Sequence, residues 1–378
     1  MRIIMVSNNY TPYSGGVVSA LDALIPALHA AGHEVMLITL SFLQDHSDDP
    51  SWVMRVPHIG EWTYKKNHMA IPWGADSFVF DAIKHYAPAI IHAHHPFLLG
   101  SSALKAAREL GVPLVFTYHT LYEQQAHYIP VPEWIGAPCI QKMVQSYCAQ
   151  VNGIIAPSSA VRRNIQQFLP SNTSACEVIP SCLLPIFMTQ KTFAPKERVA
   201  GVPFKLVTVG RFVPEKNMRQ LLDLFACLDQ KSFRFTLIGY GSEFEEMQCY
   251  AYDHLGLSPA AVTFMYKPEK ARIAQQYQEA DLFLFGSTKD TQGLVLAESM
   301  AAGTPVVAFD GPGQRDSVRQ GINGFLVNTS EHMREKIIQV AQDSRLHESL
   351  QKEAFLAAQE YLPEVIAGKV VDFYQTLL

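Results

Sequence analysis

Short apolar runs alternate with segments of helical spacing along most of the chain. The predicted strands lie at residues 2–6, 35–40, 89–93, 113–118, 153–156, 204–209, 234–238, 262–266, 281–285, 306–309 and 325–327. Between them, apolar residues recur every three or four positions, which favours amphipathic helices. Strands that alternate with helices are typical of parallel sheets in α/β proteins. Since the alternation stops near residue 185 and restarts near 203, the pattern predicts two successive α/β domains.

Length and composition place the domain boundary. At 378 residues the chain exceeds what one hydrophobic core usually serves. Residues 185–202 are polar and rich in lysine, which is typical of an interdomain linker. We therefore predict an N-terminal domain of residues 1–185 and a C-terminal domain of residues 203–362. An apolar, amphipathic segment follows at about 363–378.

Charge, cysteines and hydropathy narrow the class of protein. A formal net charge of −5 gives no sign of general nucleic-acid affinity, so we expect no nucleic-acid partner. The 6 cysteines form no Cys-x-x-Cys pair, which is typical of reduced thiols. The first residues resemble a strand rather than a signal peptide, and no apolar run reaches the roughly 18 residues of a spanning helix. We expect a cytoplasmic protein whose membrane contact is at most peripheral, on the cytoplasmic face.

The candidate chemistry concentrates in the stretch LFLFGSTKDTQGLVLAESMAAGTPVVAF, residues 282–309. It predicts a strand, a polar loop, a helix from about Gly293 to Ala302 and a second strand. The free N–H groups of the helix would point at the loop, where an anion or a sugar can bind. Asp290 in the loop and Glu298 in the helix could accept hydrogen bonds from sugar hydroxyls. A capping aspartate and a surface glutamate fit the spacing equally well.

Two other loops that follow predicted strands carry candidate anion ligands. Gly15 and Gly16 precede the first helix, where glycines allow close backbone approach and expose amides. Arg211 and Lys216 flank the loop after the strand at 204–209. The arginine offers a planar fork and the lysine a mobile point charge, and together they could hold a diphosphate. Without further context, such residues are more often turns and solvated side chains.

Histidines cluster at the ends of two predicted strands. His92, His94 and His95 lie within four residues and suggest a zinc site. Strand alternation sends His92 and His94 to one side, however, which favours polar residues facing a ligand cleft. His119 follows the strand at 113–118, at the edge where open α/β sheets place ligands.

Residues 44–74 are predicted to be irregular and contain Trp52, Trp62 and Trp73 beside the Lys65-Lys66 pair. Tryptophan near lysine suits a lipid headgroup region or an acceptor groove. A folded lobe whose tryptophans pack internally is an equal alternative.

Read whole, residues 290–309 resemble the Glu-x7-Glu signature of the retaining glycosyltransferases of family 4, which have the GT-B fold. Asp290 stands for the first acid and Glu298 for the second, and the run Ser-Met-Ala-Ala-Gly-Thr-Pro-Val-Val-Ala follows. Arg211 and Lys216 match the Gly-Arg-x4-Lys pattern of that family. The resemblance implies two Rossmann-like domains that face a cleft, with a last helix crossing back to the first domain.

The resemblance also implies an activity, which is transfer of a hexose from a nucleotide diphosphate sugar with retention of configuration. UDP-glucose is the first expectation for the donor. The Asp-x-Asp pattern of metal-dependent glycosyltransferases is absent, so we assign no metal and no cofactor.

Particular roles follow from the same resemblance. Gly15, Gly16, Arg211 and Lys216 would hold the diphosphate. The resemblance also places a set of residues at the sugar and the ribose of the donor. They are His119, Asp290, Thr291, Gln292, Gly293, Leu294 and Glu298. Within it, His119 would position the sugar and support the transition state, Asp290 would bind sugar hydroxyls, and Glu298 would bind the ribose.

The phrase TYHTLYEQQAHYIP, residues 117–130, resembles the diacylglycerol glycosyltransferase branch of the family. It adds His127 and Tyr128 to the three tryptophans as candidates for acceptor or membrane contact. Three hypotheses remain open. The first is a peripheral glycosyltransferase that acts on a lipid, the second is the same chemistry on a soluble or polysaccharide acceptor, and the third is a non-catalytic nucleotide-sugar-binding protein.

Overall fold

The chain divides into two compact units. A computed structural model describes residues 1–11, 15–42, 48–64, 67–120, 122, 132–169, 174–188, 192–196, 198–199 and 201–378, with only the backbone for 61–64, 67–69 and 133. The first unit comprises Met1–Cys182 and Pro363–Leu378, and the second comprises Leu183–Leu362.

The first unit is built on a seven-stranded parallel sheet. Its strands and one separate hairpin are β1 (Arg2–Ser7), β2 (Glu34–Leu40), β3 (Val53–Val56), β4 (His58–Tyr64), β5 (Asn67–Pro72), β6 (Ile90–Ala93), β7 (Leu114–Thr117), β8 (Gly153–Ala156) and β9 (Ala175–Val178). The sheet order is β3-β2-β1-β6-β7-β8-β9, and β4 pairs with β5 in the antiparallel hairpin. The central strands are continuous apolar runs because both faces of a parallel sheet are buried.

The helices described between these strands are α1 (Gly16–Ala30), α2 (Ala75–Tyr86), α3 (Leu99–Leu110), α4 (Glu133–Cys148) and α5 (Ser159–Phe168). Local sequence explains some of their ends. The side chain of Ser158 accepts a hydrogen bond from the Val161 N–H and so caps α5. Gly111 adopts a left-handed conformation directly after α3, where a glycine avoids the strain of a Cβ atom.

The second unit repeats the architecture with a six-stranded parallel sheet. The strands are β10 (Phe204–Arg211), β11 (Phe233–Tyr240), β12 (Val262–Tyr266), β13 (Leu282–Phe285), β14 (Val306–Phe309) and β15 (Gly324–Val327), in the order β12-β11-β10-β13-β14-β15. The helices are α6 (Met218–Ala226), α7 (Phe244–Cys249), α8 (Lys270–Glu279), α9 (Leu294–Ala301), α10 (Ser330–Gln342) and α11 (Ser344–Ala358). The two parallel sheets confirm the predicted α/β architecture.

The helix α12 (Pro363–Gln375) returns to the first unit and packs on α1. Its Tyr374 side chain is fully buried, and the hydroxyl lies 2.6 Å from Nδ1 of His92 in β6. The last helix is therefore part of the core of the first unit, as the resemblance implied.

The region around residues 44–74 differs from the prediction. It was expected to be irregular, but β3 joins the sheet beside β2, and the hairpin β4–β5 follows. The strand β3 has only four residues, VMRV, with an arginine between apolar positions, so its run is too short and too mixed to signal a strand.

The segment predicted to be a linker packs against the second unit. The ammonium of Lys196 donates to the carbonyls of Tyr277 at 3.0 Å and Ala280 at 2.9 Å, and also to Thr304 Oγ1. The ring of Phe193 lies 6.0 Å from that of Phe355. Composition alone could not show these contacts of a lysine with carbonyl oxygens, because they form only in the tertiary structure.

Candidate functional site

The strand order of the second sheet reverses between β10 and β13, which pair in the middle of the sheet. The loops that leave such neighbours run in opposite directions and open a crevice at the carboxyl ends of the strands, where α/β proteins bind ligands. Arg211 ends β10 and Lys216 lies in the short turn after it. Asp290 lies in the loop after β13. The fold thus places three residues that the sequence had singled out at one edge of one sheet.

Lys216 and Asp290 form a bidentate ion pair at this edge. The lysine Nζ donates to Oδ1 at 2.5 Å and to Oδ2 at 2.7 Å, and Ser287 Oγ donates to Oδ1 at 3.0 Å. The side chains of the pair are only 15% and 17% exposed. Because little water screens them, the attraction exceeds that of an exposed surface pair. The lysine charge is therefore held in place by a carboxylate rather than by solvent.

Arg211 also forms an ion pair in this loop. Its Nη2 lies 3.7 Å from Oε1 of Glu215, and about half of the arginine side chain is exposed. The planar fork of an arginine matches the geometry of phosphate oxygens, and this one lies at the surface of the second unit.

Close backbone contacts hold the two loops together. A Cβ atom on Gly286 would lie 2.7 Å from the carbonyl oxygen of Lys216, so the approach requires a glycine. The side chain of Asn217 donates from Nδ2 to the Gly286 carbonyl at 2.8 Å. Asn217 also adopts a left-handed conformation at φ 53°, which turns the chain into α6.

Gly313 and Gln314 also belong to this site, although the sequence analysis gave them no role. A Cβ atom on Gly313 would lie 2.5 Å from the carbonyl oxygen of Asp290 and 2.6 Å from the nitrogen of Gln292. The Gln314 amide donates to the carbonyl of Ser287. The Gly-Pro-Gly run after β14 was the only sequence signal, and it does not say which loop the glycines contact.

Glu298 lies one turn into α9 and is partly buried. The helix begins after Gly293, which is left-handed at φ 70°, so Thr291 and Gln292 lead into it and Leu294 is its first residue. The Tyr277 hydroxyl of α8 donates to Oε2 of Glu298 at 3.0 Å. Burial raises the pKa of Glu298 to about 7, although the tyrosine hydroxyl and the charge of Lys270 act to lower it. Glu298 is therefore a perturbed acid, not an ordinary surface glutamate.

In the first unit, Gly15 and Gly16 open α1. Gly15 is the residue before the helix and Gly16 is its first residue, and both are exposed. A Cβ atom on either glycine would meet no other atom within 4 Å. Packing against the described residues therefore does not require a glycine at either position, and the pair opens a 15-residue helix without a side-chain cap from Gly15.

The histidines form a stacked, hydrogen-bonded cluster in the first unit. His92, in β6, lies within 2.6 Å of both Tyr374 Oη and Thr117 Oγ1. His94 Nδ1 lies 2.8 Å from His119 Nε2, and these two rings stack with centroids 5.1 Å apart. Burial lowers the pKa of His92 and that of His119 to about 3, with repulsion from neighbouring histidines adding to the effect at His119. All of these rings are neutral at pH 7.

The described contacts of the histidines are with hydroxyls, with a backbone amide and with one another. Among the described residues, no group of three or more His, Cys, Asp or Glu is arranged to hold a metal ion. His92 instead contacts two hydroxyls, and His95 Nδ1 accepts from the Asn8 N–H at 3.2 Å.

The acceptor candidates fall into three groups. The Trp52 ring packs against Tyr10 and His29, with centroids 5.9 Å and 6.1 Å apart, as the internal-packing alternative described. Trp73 is 67% exposed. The side chains of Trp62, His127 and Tyr128 lie outside the described residues, as do Lys65 and Lys66.

The structure adds one exposed apolar surface that the sequence did not show. The helix α4 begins at Glu133 and exposes Trp134, Ile135 and Met143. The helical pattern was hidden because Gly136 and Pro138, which usually end helices, lie inside it. No described helix combines the length and the apolar character that crossing a bilayer requires.

Comparison with known proteins defines the class. Residues 14–183 match the family described as Glycosyltransferase Family 4, and residues 189–356 match Glycosyl transferases group 1. A solved structure of Anabaena HepE in complex with UDP superposes with a TM-score of 0.77 at 17% identity, covering 100% of each chain. The chain belongs to the family 4 glycosyltransferases and has the GT-B fold, and it is a glycosyltransferase.

Curated relatives narrow the comparison further. The alpha-monoglucosyldiacylglycerol synthase of Acholeplasma laidlawii is 26% identical over 100% of this chain and 98% of its own length. The protein of the same name from Streptococcus pneumoniae is 27% identical over 82% of this chain and 72% of its own length. A GDP-mannose-dependent alpha-mannosyltransferase of Mycobacterium tuberculosis is 25% identical over 88% of this chain and 85% of its own length.

Changing Gly313 to alanine should lower kcat/KM for glycosyl transfer roughly ten- to a hundredfold. The new methyl group would overlap the backbone of Asp290 and Gln292, so the loop that carries the ion pair must move, and small displacements at a site are costly. Steady-state kinetics over a range of donor concentrations would measure the effect. Gly368→Ala is the matched control, because a Cβ atom there meets no atom within 4 Å. Equal activity of both variants and the unchanged protein would contradict the role given to Gly313.

Proposed function

We propose that the protein transfers a hexose, with glucose as the first expectation, from a UDP-sugar to the hydroxyl of a diacylglycerol-type lipid, with retention of configuration. The proposal of a nucleotide-sugar donor rests on the shielded ion pair between Lys216 and Asp290. This pair lies where the strand order of the second sheet reverses, next to the helix that contains Glu298. The phrase at residues 117–130 and the names of two relatives support the lipid acceptor.

The ion pair suggests how the donor is received. When a diphosphate arrives, its charge competes with Asp290 for the lysine ammonium. When the ammonium of Lys216 pairs with the diphosphate instead, the carboxylate of Asp290 is released. It can then accept hydrogen bonds from sugar hydroxyls. Arg211 and the backbone amides that open α1 are proposed to add donors for the departing charge. These groups do the work that a metal ion would otherwise do.

The reaction requires one bond exchange at the anomeric carbon. The bond from that carbon to the diphosphate oxygen breaks, and the bond to the acceptor oxygen forms on the same face. The acceptor proton passes to the departing diphosphate, so no protein nucleophile is needed. His119 is proposed to contact the sugar as a neutral imidazole, and its pKa of about 3 suits that role. A cation there would repel the positive charge of an oxocarbenium-like transition state.

Exposed apolar side chains give the proposed membrane contact a physical basis. Trp73, between β5 and α2, is 67% exposed, and Trp134, on α4, is 78% exposed. Tryptophan is favoured at the interface between lipid and water because the ring is apolar and its N–H is polar. We place the reaction at the cytoplasmic face of the membrane, with the protein bound peripherally.

Product analysis tests the proposal directly. Purified protein is incubated with labelled UDP-glucose and vesicles that contain diacylglycerol, with and without EDTA, and Glu298→Ala is the control. We expect an alpha-linked glucosyl lipid from the unchanged protein alone, in equal amounts with EDTA. Hydrolysis or transfer that needs no lipid would favour a soluble acceptor, and labelled product from GDP-mannose alone would overturn the choice of donor. Binding of UDP without any product from either donor would favour the non-catalytic alternative.

A further inference from the structure

His94 contacts His119 directly, and its environment is unusual. The residue is only 2% exposed, and its Nδ1 lies 2.8 Å from His119 Nε2. The other ring nitrogen, Nε2, is buried and has no hydrogen-bond partner among the described residues. On its second face the ring lies against His92, with centroids 4.3 Å apart. His94 is therefore fixed in position but satisfied at one nitrogen only.

The shared hydrogen bond couples the tautomers of the two rings. Between two neutral imidazoles, one nitrogen must donate and the other must accept. If His119 donated from Nε2, the proton of His94 would lie on its Nε2, as a buried N–H without an acceptor. Orphaned buried N–H groups are the rarer defect in proteins, because an unmade hydrogen bond leaves the full desolvation cost of the donor. In the alternative, His94 donates from Nδ1, and its Nε2 is an unprotonated acceptor without a partner among the described residues. This is the more favourable arrangement, because no N–H group is left without an acceptor.

The cluster behind His94 is anchored to two other parts of the first unit. His92 lies within 2.6 Å of Thr117 Oγ1 in β7 and of Tyr374 Oη in α12. Two side chains, from β7 and α12, thus hold the His92 ring of β6, and that ring packs against His94 at a tilt of 32°. A side chain fixed on both sides presents its N–H in one direction, which is what positioning a catalytic group requires.

We infer that His94 is a positioning residue, whose Nδ1–H donates to Nε2 of His119 and thereby makes Nδ1 the protonated nitrogen of His119. Any hydrogen bond that His119 donates to a sugar oxygen then comes from Nδ1. The inference rests on the proposed function only for its kinetic consequence, since the tautomers are a property of the protein without substrate.

The tautomers are read by NMR of the full-length protein labelled with ¹⁵N-histidine. The nitrogen chemical shifts and their couplings to the ring carbon-bound protons distinguish a protonated Nδ1 from a protonated Nε2, and the variants His94→Asn and His119→Asn assign the two rings. We expect protonated Nδ1 in both His94 and His119. A protonated Nε2 in either ring would overturn the inference, whether or not the protein transfers sugar.

Kinetics test the positioning role with two replacements of similar size. Asparagine can place an N–H near the former Nδ1, whereas leucine cannot donate. We expect His94→Leu to lower kcat roughly tenfold or more. The Kd for UDP should stay the same, because UDP lacks the transferred hexose that His119 is proposed to contact. His94→Asn should recover most of the lost kcat. Equal kcat in the two variants, or a matching loss of UDP affinity in His94→Leu, would show that His94 only fills space.

Discussion

Replacing Lys216 with methionine should lower kcat of glycosyl transfer by about 10²–10³, because the departing diphosphate loses a preorganised positive charge. Methionine keeps the apolar length of the side chain, which matters because the lysine Nζ lies 5.7 Å from the ring centroid of Phe285. The loss should therefore report on charge and not on packing. Rapid-quench measurement of a single turnover at saturating donor would isolate the chemical step.

A double-mutant cycle separates two explanations for that loss. Removing the lysine also leaves the carboxylate of Asp290 partly buried without its partner, which is costly by itself. If neutralising Asp290 were the only task of Lys216, then Lys216→Met combined with Asp290→Asn would regain the lost activity. We expect the double variant to stay at least as slow as Lys216→Met. Recovery of kcat in the double variant would contradict a direct role in meeting the diphosphate.

Removing the carboxylate of Glu298 should have a large effect on the affinity for the nucleotide. Hydrogen bonds to a charged group contribute about 1.5–3 kcal/mol, so Glu298→Gln should raise the Kd for UDP roughly ten- to a hundredfold. Isothermal titration calorimetry with UDP measures this without any turnover. Tyr277→Phe keeps the acid and removes only the hydroxyl that donates to Oε2, so a smaller loss is expected there.

The raised pKa of Glu298 gives this prediction a pH dependence with a definite sign. The pKa is about 7, and a carboxylate accepts more hydrogen bonds from ribose hydroxyls than a carboxylic acid does. The affinity of the unchanged protein for UDP should therefore rise as the pH increases from 6 to 8. UDP itself also titrates in this range, and the pH dependence of its affinity for Glu298→Gln measures that contribution. The rise in the unchanged protein should exceed the rise in the variant. Parallel pH profiles in the two proteins would contradict ribose binding by Glu298 and leave it a structural role beside Tyr277.

The sequence predicted the two sheets well because parallel strands, buried on both faces, appear as continuous apolar runs. The loop residues were found by a different route. Arg211, Lys216, Asp290 and Glu298 stand out through a family pattern, since nothing in their spacing alone distinguishes them from solvated charges. Their placement at one edge of a sheet depends on the strand order β11-β10-β13-β14, which only pairing of distant segments establishes.

What the sequence could not show are contacts between residues far apart in the chain. Gly313 is required because a Cβ atom on it would lie 2.5 Å from the carbonyl oxygen of Asp290. In the sequence, a glycine that follows a strand does not reveal this contact. The same holds for His94, which a run of three nearby histidines made a candidate metal ligand. Its partner His119 lies 25 residues further along, and the tyrosine that anchors the cluster lies 282 residues from His92.

The return of α12 to the first unit has a consequence for synthesis on the ribosome. The second unit, Leu183–Leu362, is a continuous piece of chain, so it can fold as soon as it has emerged. The first unit emerges earlier but lacks Tyr374 and the rest of α12 until residues 363–378 follow. Although its strands are made first, the first unit is the last to complete its core. During that interval the face of α1 on which α12 packs and the side of His92 that contacts Tyr374 lack their partner, so the histidine cluster is completed only after residues 363–378 have emerged.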